Sequence, residues 1–201
     1  MDTQQKPNIY QPSLLKGALR QGEILTDLIQ IVASPSTLFD RQPTAQQITH
    51  PFVIVVTQDC DLEQDYRARE TRDSGSHRLL TSILFCEVTL ATSFKAETPP
   101  EIASTRKWKD YIQRNKDERY HFFQKVNPED DLLETGIGEL VAAFRQYFSM
   151  PPDEVYLRLE DGNAKRRCVL VSPYLEHFST RFAYYQSRVA LPGQHESEKA
   201  E

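Results

Sequence analysis

The run Pro51-Phe52-Val53-Ile54-Val55-Val56-Thr57 most constrains what this chain can fold into. It has the length of a strand and is rich in β-branched residues. Being continuous rather than alternating, it must be covered on both faces. Two similar runs flank it, Gly22 to Val32 (GEILTDLIQIV) and Leu79 to Leu90 (LLTSILFCEVTL). Between them lie a polar stretch ending at Thr49 and the charged stretch 62–78, which reads as a solvated excursion. Short strands without intervening helices point to an antiparallel sheet or barrel.

The pattern changes after Pro99-Pro100. Glu101 to Asn115 carries Ile102, Trp108, Tyr111 and Ile112 at helical spacing, and Arg119 to Gln124 reads as a short aromatic strand. Glu139 to Met150 fits both periods; its aromatic content and the preceding Gly136 and Gly138 favour a strand. Val155–Leu159 and Arg166–Val171 flank Asp161-Gly162-Asn163, which reads as the turn of a hairpin. Ser172 as N-cap and Pro173 at the first helical position open a last helix of about five turns, ending before Pro192. Its stripe is Leu175, Phe178, Phe182, Tyr185 and Val189. The fold class is α+β: a small antiparallel β-barrel over about 20–92, a helical and hairpin elaboration over about 100–192, and a long C-terminal helix. One domain covers 1–192, residues 1–13 form a flexible or contact-ordered leader, and 193–201 fray.

With 39% apolar residues in 201, the chain can bury a core without staples. A net charge of −5 gives no global attraction to nucleic acid, so binding there needs a local basic patch. Cys60, Cys86 and Cys168 form no CxxC pair and no zinc pattern; Cys86 and Cys168 sit in apolar runs as small hydrophobes. No metal or cofactor is expected. The polar Met1–Tyr10 segment is no signal peptide, and no run approaches the roughly 20 apolar residues of a membrane span, so a cytoplasmic location is expected. No P-loop, GxGxxG, HExxH or GxSxG pattern occurs.

Three places are candidate sites. Thr57-Gln58-Asp59-Cys60-Asp61 stands where a buried strand meets a loop. Two carboxylates around a thiol suit acid–base or nucleophilic work, with His77 and Glu87 within reach of a neighbouring strand. The same aspartates also suit Asx turns, with Cys60 pointing inward. The basic helix carries Arg106, Lys107, Lys109, Arg114 and Lys116 around Trp108 and Tyr111, the pairing of cations and aromatics that holds single strands. Asp110, Asp117 and Glu118 dilute that charge, and the helix also fits a solvated face. The stripe Leu175, Phe178, Phe182 and Tyr185 fits either the core or a partner's groove.

Gln21-Gly22-Glu23-Ile24, Thr49-His50-Pro51-Phe52-Val53-Ile54-Val55-Val56-Thr57 and Leu84-Phe85-Cys86-Glu87-Val88-Thr89 together resemble the opening strands of MazF/PemK-type proteins. The resemblance covers about residues 20–92. It implies an SH3-like barrel, often dimeric, that cuts single-stranded RNA without metal. The family's catalytic arginine falls at His50, which lacks the permanent charge and the five-donor fork. Its Thr or Ser partner falls near Thr89. The expected function is therefore a non-catalytic component of a bacterial defence, toxin–antitoxin or CRISPR-associated system that binds a partner protein. The alternatives are a divergent ribonuclease using His50 with Asp59 or Asp61, and a nucleic-acid-binding module working through the basic helix.

Overall fold

Among the described residues, seven strands make one antiparallel sheet: β1 (Tyr10–Pro12), β2 (Glu23–Ala33), β3 (Ala45–Val55), β4 (Ile83–Leu90), β5 (Tyr120–Phe123), β6 (Leu140–Met150) and β7 (Lys165–Leu170). Their spatial order is β1-β7-β2-β3-β4-β6-β5. The structure is a computed structural model and describes residues 8–37, 39–42, 44–71, 76–97 and 104–188. The chain is α+β. Its sheet is open, with β1 and β5 as edges.

The continuous β3 run is buried on both faces, as its composition requires. Ile54 joins Cys86, Ala142 and Cys168 in one cluster, which Phe178 and Phe182 complete. Val53 and Val55 join Leu25 and Phe85 in a second, closed by Leu62 and Val155. One face thus carries α4 (Tyr174–Ser187), and the other carries α1 (Asp59–Glu70) and α3 (Pro152–Glu160). A third cluster packs Trp108 and Ile112 onto Phe122 and Val141, beside Ala91 at the start of α2 (Ala91–Glu97). Gly22 takes φ +75°, a conformation that favours glycine, and a β-carbon there would stand 2.7 Å from Leu175 Cδ1 of α4.

In the described part of the leader, Tyr10 is 2% exposed and β1 pairs with β7. Three expectations are corrected. The charged stretch after Thr57 is largely α1, whose buried positions Leu62, Asp65 and Ala68 include a carboxylate. Asp65 accepts from the Leu80 N–H at 2.8 Å and from Arg69 Nε at 2.8 Å. A helix anchored by a buried aspartate leaves no apolar stripe to read. Val155–Leu159 is not a strand either. Pro152 with Asp153 and Glu154 opens a helix there, and Gly162 at φ +77° follows its C-cap. Asp-Gly serves a helix end as well as a hairpin, so β7 pairs with β1 and β2 instead. The last helix begins at Tyr174 and is described to Ser187, with Pro173 rather than Ser172 at its N-cap. Beyond it, Val189, Pro192 and the 193–201 tail lie outside the described residues, as does Ile102. β6 is the strand expected, and β3 begins earlier than expected, at Ala45.

Candidate nucleic-acid interface

Residues Thr105–Lys107 form an α-turn that widens into a π-helix over Trp108–Ile112. Two i→i+5 bonds follow at its end: Gln113 N–H donates to the Trp108 carbonyl at 3.0 Å, and Lys116 N–H to the Tyr111 carbonyl at 2.8 Å. Trp108 and Ile112 face the core at 3% and 2% exposure, whereas Tyr111 is 54% exposed. Lys95 Nζ stands 4.1 Å above the Trp108 ring, a cation–π contact that fixes the segment from below.

On the outer side of this segment lies a groove of about 550 Å³. Arg106, Lys107, Arg114 and Lys116 line it together with Tyr111 and Asp110. Four cations thus face one carboxylate. Asp110 neutralises little, its oxygens being 4.0 Å from Arg106 Nε and 3.9 Å from Arg114 Nη1. Lys109 is exposed but does not line the groove. Arg119, just beyond, is held by Asp117 through two hydrogen bonds of 3.0 and 2.7 Å. That pairing raises the arginine above its ordinary range and lowers the Asp117 carboxyl.

Next to the groove, and sharing Arg114 with it, is a smaller cavity of about 200 Å³. Tyr10, Asn115, His121, Tyr174 and His177 contribute its polar lining. The rings of His121 and His177 lie 5.2 Å apart. Burial pushes His121 well below the usual imidazole range, and the positive charges of Arg181 and His177 push it further. His177 is lowered for the first two of these reasons. Neither histidine stood out in the sequence. His121 hides in the aromatic strand RYHFF, and His177 precedes Phe178 on a helix read for its apolar stripe.

The candidates around Asp59 do not assemble into a catalytic group. Asp59 accepts from Arg20 Nε and Nη2 at 3.1 and 2.9 Å and from the Gln21 N–H at 2.6 Å, which ties α1 to the turn before β2. Cys60 is exposed, not inward, with its thiol 3.7 Å from Gln58 Oε1 and 3.6 Å from Asp61 Oδ1. His77 lies exposed in a separate 3₁₀ turn. His50 is 4% exposed and has a different set of partners. Its Nδ1 meets Glu87 Oε1 at 2.7 Å, its Nε2 meets Gln30 Oε1 at 3.3 Å, and its ring stacks on Phe148 at 3.9 Å. Glu87 therefore serves His50 rather than Cys60. Thr89 sits in β4 opposite Val141. Cys86 and Cys168 are fully buried, and burial raises both thiols. Among the described residues no group of three or more His, Cys, Asp or Glu side chains is placed to hold a metal.

The C-terminal stripe is core. Phe178 and Phe182 are 0% and 5% exposed, and Leu175 and Tyr185 pack against the same cluster. The helix docks on its own sheet because Phe144 offers rings to Phe178 and Phe182 at 6.0 and 5.6 Å. The arginines of the sequence cluster Lys165-Arg166-Arg167 are internal too, whereas Lys165 is exposed. Arg166 binds both oxygens of Glu23, and Arg167 both oxygens of Asp131.

Taken together, fold and site define an α+β domain whose open antiparallel sheet is covered on both faces and carries a basic groove beside one edge strand. No family model matches the chain, and no curated protein matches it. No helix among the described residues is long and apolar enough to cross a membrane.

Proposed function

We propose that this chain is a single-stranded nucleic-acid-binding module, with RNA as the ligand class, that holds its strand in the groove beside Tyr111 and does not cut it. The observation that carries the reading is the groove itself: Arg106, Lys107, Arg114 and Lys116 around a half-exposed tyrosine. Phosphates meet the cations, and a base stacks on the ring. A single strand fits better than a duplex, because stacking needs an unpaired base face. Cleavage through His50 has no support in the geometry, since both its ring nitrogens face side-chain oxygens within the fold.

Tyr10 of edge strand β1 donates its hydroxyl to the carbonyl of Gln124, next to edge strand β5, at 2.7 Å. Edges brought together in this way favour a strongly coiled sheet akin to the SH3-like barrel of MazF/PemK proteins.

A second reading, partner-protein binding within a bacterial defence or toxin–antitoxin system, is favoured by one surface feature. Leu15 is 76% exposed beside a groove of about 480 Å³ that Tyr66, Tyr156 and Leu159 also line. It differs from the site first expected, the α4 stripe.

The test is fluorescence anisotropy with a labelled single-stranded RNA and the same sequence as a duplex. The proposal requires preferential binding of the single strand. Arg106→Glu with Lys107→Glu should abolish it, and Tyr111→Ala should weaken it by about 1–3 kcal/mol. Quenching of Trp108, the one tryptophan in the sequence, would place the strand at this segment. If neither strand binds while the protein co-purifies with the product of an adjacent gene, the partner-protein reading replaces it.

A further inference from the structure

The small cavity between β5 and α4 has a chemistry of its own. It is lined by Arg114, His121 and His177 and by the amides of Gln113, Asn115 and Gln124, and no carboxylate lines it. His121 is 4% exposed, and its Nδ1 is buried with no hydrogen-bond partner. An orphaned buried imidazole nitrogen in a protein interior calls for a ligand, an ion or a water. Close by, Arg181 donates Nη2 to the carbonyls of Asp117 and Tyr120, while its Nε is buried and unpartnered.

The acids nearest Arg181, Asp117 and Glu118, act on it but are shared with other cations. The Asp117 carboxylate is bound by Arg119 at 2.7 Å, and Glu118 faces Arg188 at 3.6 Å. The lining itself carries one cation, Arg114, and no carboxylate. Burial, and after it the charge of Arg181, lowers both histidines. A cation is disfavoured there and an oxyanion favoured. Size narrows the choice. At about 200 Å³ the cavity is smaller than the roughly 300–1,000 Å³ of pockets that enclose drug-sized ligands, yet ample for a phosphate group.

We propose that this cavity is a phosphate-binding site, taking the phosphate of a monoester between His121, His177 and Arg114. Two sources supply that chemistry: the phosphorylated end of a strand lying in the adjacent groove, or a free phosphate monoester. Arg114 lines both hollows and connects them. Only the strand-end source rests on the groove reading.

The experiment follows the imidazole resonances of His121 and His177 by NMR in the full-length protein while inorganic phosphate is added at constant ionic strength. Saturable shifts of both rings are expected. Arg114→Ala and His177→Ala, both at exposed positions that leave the core intact, should each weaken binding about tenfold. Unmoved rings at about 10 mM phosphate, or shifts equal in wild type and both variants, would overturn the proposal. The source is decided by comparing 5′-phosphorylated, 3′-phosphorylated and unphosphorylated forms of one RNA. A terminal phosphate that tightens binding and moves both rings assigns the strand end. Ring shifts with inorganic phosphate but no RNA binding at all sink the groove reading and leave a free monoester as the ligand.

Discussion

Charged residues are deployed inside this molecule in a way that sequence patterning cannot show. Glu23 is fully buried, and Arg166, 6% exposed, binds both its oxygens and also the carbonyls of Gly17 and Ala18. Removing one member of such a pair leaves the other charge uncompensated, so Glu23→Gln should lower stability by about 3–5 kcal/mol in urea unfolding. In the sequence, Lys165-Arg166-Arg167 leaves its role undecided, because charge is legible and a partner 143 residues away is not. His121 provides a second test. Buried and neutral, it binds its proton less readily folded than unfolded, so the unfolded chain takes up more protons below the ordinary histidine value of 6.5. Stability should therefore fall as pH drops through that value towards 5. His121→Phe should flatten the slope by up to about 1.4 kcal/mol per pH unit. An unchanged slope would mean that the ring is protonated in the native state.

Among the elements, those with apolar periodicity were readable and those anchored by polar contacts were not. The β3 run follows from its composition, and the β6 strand from its aromatic content with the preceding glycines; Val53–Val55 of β3 and Leu140–Phe144 of β6 are buried. The sequence also located the basic segment, but the π-turn that rotates Tyr111 outward while Trp108 stays in depends on packing against Phe94 and Phe122. By contrast, α1 hangs on Asp65 and Arg69, which carry no hydrophobic signal, and α3 was masked by an Asp-Gly turn common to hairpins and helix ends. For α4 the stripe was visible, but whether it faced the chain or a partner was not. Phe144 on β6 settles that. Phe178→Ala should consequently cost about 3–5 kcal/mol in chemical denaturation, whereas Tyr184→Ala, at a 56% exposed position of the same helix, should cost less than about 0.5 kcal/mol. Comparable losses at both positions would place the stripe in an intermolecular seam.

At the scale of the whole molecule, net charge and local charge point in opposite directions. A chain of net charge −5 repels a polyanion at long range, yet one groove gathers four cations against a single carboxylate. Composition alone therefore argues against a polyanionic ligand, and only the fold shows the cations on one wall. The contrast also fixes how binding must behave: contacts should be short-ranged and few, with strong screening by salt. The decisive measurement is the affinity for single-stranded RNA as a function of salt concentration. Four phosphate contacts predict a log–log slope of about −3, and Arg106→Gln with Lys107→Gln should bring it close to −1.5. A slope near zero, or one that those two substitutions leave unchanged, would contradict the groove as the binding site.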